Sequence, residues 1–393
     1  MSPTHSLLVY AKRTPISKFM GSFSALPAPE LGAALVKDAV QLLAINPKNI
    51  DEIIMGQVLS AGVGQAPARQ TALYGGLPAS VCATTINRVC GSGLKAVMLA
   101  DNSIRLGEAH FIVAGGQENM SLAPHLLPGS RQGYRFGSIT AIDHAQWDGL
   151  RDPYENIAMG LCGEDCAQKF AFGREEQDQY AVSSYQRARE AVKNGIFAPE
   201  IVPITVTVNK KSQQINDDEE PFSVDLERLP QLRPAFAPNG TITAGNASSL
   251  NDGAALLGIC SPSFAKHSGL NPMAKILAHS SIAQEPRWFT TAPIACIRRV
   301  LHKAHLNLND IDLFEINEAF AVVPMAAMKE LAIPREQVNV YGGAVALGHP
   351  IGASGARILV TLVHALRRQG KKRGLACLCI GGGEASAMII EVL

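Results

Sequence analysis

The chain has 393 residues, 47% hydrophobic and 18% charged, with a formal net charge of +1. That length holds two or three domains with real cores, and that composition excludes a disordered chain. The near-neutral balance argues against a nucleic-acid surface, and no run is long and apolar enough to make a membrane helix.

Met1 to Tyr10 lacks the basic and apolar regions of a signal peptide, and Ile389 to Leu393 is not an organelle address, so a cytoplasmic location is expected. Eight cysteines in a chain this large are expected to be reduced thiols. Cys162 and Cys166 are one helical turn apart, but with no second pair nearby no metal is expected.

In order, Ser6 to Ala11 reads as a strand closed by Thr14-Pro15. Pro27 and Pro29 precede a helix from Glu30 to about Ile45, striped by Leu31, Leu35, Ala39 and Leu42. Ile50 to Gly56 leads into a strand, and Gln65 to Leu73 is a helix. Ala83 to Ile86 reads as a buried strand and Leu94 to Leu106 as a buried helix. Cys90 falls at the corner between them. The helix N-terminus there favours a thiolate, and Gly91 and Gly93 are expected to admit a bulky substrate. A small buried cysteine without a role is the equally weighted alternative. His110 to Ala114 is a further strand, ending in Gly115-Gly116-Gln117-Glu118.

The segment from Met120 to Ser249 has another character. It holds loops from Ser121 to Thr140, an exposed helix from Arg174 to Lys193, an edge strand from Ile201 to Val208 and a polar connection from Asp217 to Glu220. It reads as an insertion that shapes access to a site.

The last third repeats the first. Ala292 to His305 is a helix, and Asn309-Asp310-Ile311-Asp312 before Leu313 to Ile316 echoes Asn49-Ile50-Asp51-Glu52 and its strand. Ile351-Gly352-Ala353-Ser354-Gly355 echoes Cys90-Gly91-Ser92-Gly93, and Gly381-Gly382-Gly383-Glu384 after Leu375 to Ile380 echoes Gly115 to Glu118. Four matches in one order indicate two copies of a β/α unit, hence α/β layers.

Three more stretches close strands where β/α chemistry belongs: Asn317-Glu318-Ala319-Phe320, Gly348-His349-Pro350 and Cys379-Ile380-Gly381. A turn-forming asparagine and an exposed loop histidine are the bland alternatives. Together with Cys90 they supply an acyl-carrying thiol, a base, a second thiol to move a proton, and backbone N–H groups for an oxyanion.

These motifs, with Arg13-Thr14-Pro15 and Gly245 to Gly253, resemble the thiolase signature over essentially the whole chain. Ala123-Pro124-His125 and Pro128-Gly129-Ser130-Arg131 are most similar to biosynthetic acetoacetyl-CoA thiolases. The resemblance implies duplicated βαβαβαββ domains in a five-layered α-β-α-β-α core. It implies a first domain of 1–119 plus 250–272, an inserted loop domain of 120–249, and a second domain of 273–393. The implied reaction is ping-pong Claisen condensation of two acetyl-CoA to acetoacetyl-CoA and CoA, or its reverse. Cys90 would be the nucleophile and His349 its base. Cys379 would be the acid/base, Asn317 would act through a water, and Cys90 and Gly381 would lend N–H groups to the oxyanion. Ser248, Ala244, Leu150, Met159, Phe236, Ala319 and Phe320 would bind the substrate. CoA thioesters are then substrates, no resident cofactor is expected, and a homotetramer is implied, with loops like Ser121 to Thr140 joining dimers.

Ala158 stands where biosynthetic members often carry a histidine, and Pro221-Phe222 where many carry a basic residue, so an altered acyl pocket is expected. A degradative 3-ketoacyl-CoA thiolase is the nearest rival. Carrier-protein condensing enzymes usually replace the second cysteine by histidine. A passive acyl-CoA binder would not need Cys90, Asn317, His349 and Cys379. A dinucleotide loop at Gly348, Gly352 and Gly355 has the wrong spacing.

Overall fold

A computed structural model describes residues 5–208 and 211–393. The main strands are β1 (Leu7–Arg13), β2 (Glu52–Gly56), β3 (Cys82–Ile86), β4 (Phe111–Asn119), β5 (Asn251–Cys260), β6 (Ala274–Ala283), β7 (Leu313–Ile316), β8 (Arg373–Ile380) and β9 (Glu384–Val392). The main helices are α1 (Ala28–Leu43), α2 (Pro67–Tyr74), α3 (Ser92–Leu106), α4 (Met159–Phe170), α5 (Arg174–Lys193), α6 (Ala292–Ala304), α7 (Val322–Leu331) and α8 (Ser354–Gln369).

The strands lie in the order β7-β8-β9-β6-β1-β5-β4-β2-β3. The halves join at a short antiparallel seam, where Leu7 pairs with Lys275 and Leu8 with Ala274. On either side of the seam one plan is built twice. The parallel bridge between Phe314 and Val338 stands beside β7 where β3 stands beside β2. The echoed aspartates explain part of the repetition. Asp51 accepts from the N–H groups of His110 and Phe111 at 2.7 and 2.9 Å, at the start of β4. Asp312 accepts from Lys372 and Arg373 at 3.0 and 2.8 Å, at the start of β8. Each carboxylate satisfies backbone donors that a strand end would otherwise leave unpaired.

Helices α1 and α2 cover the outer face of the first half-sheet, and α6 and α7 that of the second. Between the half-sheets lie α3 and α8, in one continuous apolar core. This is the five-layered α-β-α-β-α arrangement of an α/β fold. Because α8 is covered on both sides, twelve of its residues are buried, including Arg357 and Thr361.

The central helices meet at the echoed glycines. A Cβ on Gly93 would lie 2.8 Å from the Ala356 backbone nitrogen, and one on Gly355 2.5 Å from that of Leu94. The expectation that Gly91 and Gly93 open a path for substrate is therefore corrected. Gly93 admits α8, and a Cβ on Gly91 would collide with Ile380. The expected burial of Ala83 to Ile86 is also corrected. β3 is the last strand of the path and is exposed or half-buried throughout, because only β2 pairs with it among the described residues.

The inserted segment is tied down by buried charge. Arg13 on β1 donates to Glu200 at 2.6 Å and grips Asp218 with both terminal nitrogens at 2.7 and 2.9 Å. The polar stretch read as a connection thus carries the buried partner of a forked ion pair. Helix α5 spans the expected residues but is not simply exposed, since one face, including Tyr180, Tyr185 and Ala188, is buried. The strand expected over 201–208 is shorter, Ile204–Val208, and among the described residues pairs only with Lys211–Ile215, while Ile201 makes a separate bridge to Arg13. No helix among the described residues is long and apolar enough to cross a membrane.

Candidate active site

Cys90 sits on a tight corner two residues before α3. Val89 holds φ at +46°, a left-handed value that a β-branched residue rarely takes. Side chains hold the corner there. Asn87 accepts the Val89 N–H at 2.9 Å, while Ser92 accepts the Arg88 N–H at 2.8 Å and donates to the Val89 carbonyl at 2.7 Å. The N–H groups of Gly381 and of Cys90 itself, one from each half of the duplication, favour the charged form of the sulfur, and a Cβ on Gly381 would lie 3.6 Å from Val89 beside it. Burial nevertheless pushes the thiol up to about 11. The expected resting thiolate is therefore corrected to a neutral thiol. Two amides and a helix end do not offset removal from water.

His349 follows Gly348, whose φ of +97° packs its backbone against the Asn251 side chain. Asn251 Oδ1 accepts the His349 N–H at 2.8 Å. The ring Nδ1 lies 2.6 Å from Ser354 Oγ, and Ser354 donates to the Pro350 carbonyl at 2.9 Å. A hydroxyl carries one hydrogen. With that hydrogen on a carbonyl, which only accepts, Ser354 accepts from Nδ1–H and Nε2 keeps a lone pair. Nε2 is buried and has no protein partner among the described residues. Burial, then Arg357, pushes the imidazolium down to about 3, so the ring is a neutral base.

Asn317 follows β7 directly. It is fully buried, and neither amide atom has a protein partner among the described residues. Cys379 is fully buried near the end of β8, and burial, then nearby Cys90, raises its thiol. Glu118, near the end of β4, accepts from the N–H groups of Val58, Leu59 and Gly352 at 2.9, 3.1 and 2.9 Å. It thereby fastens the strand ends of the first half to the loop that carries His349. Burial raises its carboxyl to about 7.

A cavity of about 230 Å³ opens over Cys90 and His349. Leu150, Met159, Phe236, Ser248, Ala319 and Phe320 line it. Ala244 is exposed and outside that lining, and Asn317 and Cys379 are fully buried and also outside it. Phe320 meets Phe236 and Phe289 edge-on, with ring centroids 6.0 and 6.5 Å apart. Gly381 lines a neighbouring cavity of about 260 Å³, which shares Gly149, Met159 and Phe289 with the first. The arrangement offers a neutral thiol, a neutral imidazole with a free lone pair, two converging amides and an apolar channel.

The family model described as "Thiolase, N-terminal domain" matches residues 6–263, and "Thiolase, C-terminal domain" matches 270–392. The chain belongs to the thiolase family. It is 47% identical to an acetyl-CoA acetyltransferase of Cupriavidus necator, over 99% of each chain. The crystal structure of the Bacillus anthracis acetyl-CoA acetyltransferase superposes with a TM-score of 0.96 at 40% identity, covering all of both chains. A thiolase of Ascaris suum crystallised with coenzyme A superposes with a TM-score of 0.94 at 43% identity, over 99% of this chain and 100% of that one.

Several residues of this thiolase site carry no signal strong enough to read from sequence. Ser354 was visible only as part of a glycine echo, although its place one turn after Pro350 allows the contact it makes. Glu118 and Asn251 act through loops remote in sequence. Phe289 reaches the cavity from the short 3-10 segment Pro286–Thr291, which has no motif of its own.

Proposed function

We propose that this chain condenses two acetyl-CoA to acetoacetyl-CoA and CoA through an acetyl-Cys90 intermediate, and catalyses the reverse thiolysis. One observation carries the reading: Cys90 and His349, from opposite halves of the fold, face one apolar cavity.

The steps balance as follows. His349 Nε2 takes the Cys90 proton as Sγ attacks the acetyl carbonyl, and the Cys90 and Gly381 N–H groups hold the oxyanion. The carbon–sulfur bond to CoA breaks, and Cys379 protonates the departing thiolate. The Cys379 thiolate then removes the α-proton of a second acetyl-CoA. Its thioester oxygen gains charge as the enolate forms, held by His349 Nε2–H and by a water on Asn317. The enolate carbon attacks acetyl-Cys90, and the released thiolate recovers its proton from His349. Each preorganised donor of this kind supplies roughly 3–4 kcal/mol. Cys90, His349 and Cys379 start and end neutral, which agrees with a resting Cys90 thiol near 11 and an imidazolium near 3. Between the two half-reactions the Cys379 thiolate and the His349 imidazolium balance each other.

Ser248, Ala319, Phe320, Phe236, Leu150 and Met159 would bind the acyl group and pantetheine arm, with Ala244 further out. Ala158 is exposed and outside the lining of both cavities, so it lends no support to the altered acyl pocket expected from it. The reading extends to a cytoplasmic role in lipid metabolism and to a homotetramer. The exposed outer edge of β3 supports self-association, since an unpaired strand edge is a template for another chain.

Mass spectrometry after incubation with acetyl-CoA tests the reading. One acetyl group is expected on the peptide containing Cys90, and none in Cys90→Ala. No acetylation would overturn it. Thiolysis across 3-ketoacyl-CoA lengths separates a four-carbon enzyme from a degradative one, and light scattering reports the assembly.

A further inference from the structure

Arg88 and Glu384 come from opposite halves of the fold and meet beside the reacting sulfur. Arg88 Nε donates to Glu384 Oε2 at 2.7 Å, and Nη2 lies 2.7 Å from the same oxygen. Nη1 donates to Ser281 on β6 at 2.9 Å, and Ser281 lies 3.0 Å from Ser386 on β9. All three donor nitrogens of the guanidinium are thus used, and all are anchored on the second half.

The placement closes a ring. From Arg88 the chain passes through Val89 to Cys90. The Gly381 loop packs on this corner: a Cβ on Gly91 would collide with Ile380, and one on Gly381 would lie 3.6 Å from Val89. From Gly381 the chain passes through Gly382 and Gly383 to Glu384, which returns to Arg88. Both arms hold unusual backbone, with Val89 at φ +46° and Gly382 and Gly383 at +87° and +86°. Glycine takes such a φ freely, but a β-branched residue such as Val89 keeps it only where surrounding contacts over-determine it. The β1–β6 seam between the halves is short, with Leu7 paired to Lys275 and Leu8 to Ala274.

We infer that the Arg88–Glu384 ion pair is a positioning device that fixes the Cys90 corner against the Gly381 loop, so that amides from two halves converge on one oxyanion. The inference rests on the acyl-transfer reading above and concerns how its site is held together. An isolated surface ion pair contributes little. This one is half-buried, sets two guanidinium nitrogens on one carboxylate oxygen and is backed by Ser281, and it acts on alignment, where a small misplacement slows a reaction far more than it weakens a fold.

The test compares Arg88→Lys, Arg88→Glu, Glu384→Arg and the exchanged double variant R88E/E384R. The rate of Cys90 acetylation by acetyl-CoA in a single turnover is measured by quenched-flow mass spectrometry, alongside KM and melting temperature. Arg88→Glu and Glu384→Arg are expected to slow acetylation roughly 10- to 100-fold, with KM and melting temperature little changed. Arg88→Lys, which keeps the charge but not the fork, is expected to fall between these and the parent. The exchanged double variant is expected to recover most of the rate. Single variants that acetylate at the parent rate overturn the inference. So does a double variant as slow as the combined singles, or a loss of rate that only follows a loss of folded protein. An unaltered chain that never acetylates Cys90 overturns the acyl-transfer reading instead.

Discussion

His349 Nδ1 lies 2.6 Å from Ser354 Oγ, and this contact decides which ring nitrogen faces the cavity with a lone pair. Because Ser354 gives its hydrogen to Pro350, the imidazole must give its own to Ser354. Ser354→Ala removes that acceptor and lets the ring adopt the other tautomer. The acetylation rate of Cys90 is expected to fall about 10-fold, in line with the loss of one buried hydrogen-bond partner. Ser354→Thr, which keeps the hydroxyl, is expected to retain more of the rate. Equal loss in both, measured by single-turnover acetylation, would assign the effect to packing.

Asn317 is a buried amide with no protein partner among the described residues, which is costly for the fold. Asn317→Ala is therefore expected to lower the condensation rate by about 10²–10³ without lowering the unfolding free energy, and to raise it by up to about 1 kcal/mol. Denaturant unfolding and acetoacetyl-CoA synthesis, run on one preparation, check both signs. A variant that loses stability and keeps its rate would make the residue structural.

The pH dependence of stability has a readable sign at His349. Its imidazolium is pushed down to about 3 by burial, so the folded ring is neutral while the unfolded ring titrates near 6.5. Its contribution is fully present above 6.5 and is lost as pH falls towards 3, on the order of a few kcal/mol. Glu118 works in the other sense. Its folded carboxyl is raised from 4.5 to about 7, so its contribution is lost as pH rises through that window. Comparison with His349→Asn isolates the histidine. The stability of the parent relative to this variant is expected to decline steadily from pH 6.5 to pH 4. Parallel unfolding curves over that range would remove the neutral buried histidine from the account.

Gly93→Ala places a Cβ 2.8 Å from the Ala356 nitrogen and 3.1 Å from the carbonyls of Gly352 and Ala353, all backbone atoms that cannot rotate away. Overpacking at such a point destabilises by about 1–3 kcal/mol or more. Gly355→Ala is expected to do the same against Leu94. Since Cys90 and His349 precede these two helices, each substitution is also expected to slow acetylation in whatever fraction stays folded. Unchanged melting temperatures would show that the helix crossing is looser than these distances describe.

The sequence by itself determined the duplication, the α/β layering and the candidate site residues, because those signals are local. Glycine spacing, strand-length apolar runs and short motifs sit within a few residues of one another, and four of them recur in order. The edge position of β3 was not legible, since an apolar run reads alike whether one neighbour pairs with it or two. Tertiary structure alone decided the protonation states. The local setting of Cys90 favours a thiolate, yet burial beneath both halves keeps it a thiol, because desolvation depends on atoms brought from far along the chain. It also decided what the glycines are for. Gly93 and Gly355 pack the central helices against each other, a contact between two copies of one unit that neither copy encodes alone. The same holds for Arg88 and Glu384, two ordinary charged residues until the fold brings them together 2.7 Å apart beside the Cys90 corner.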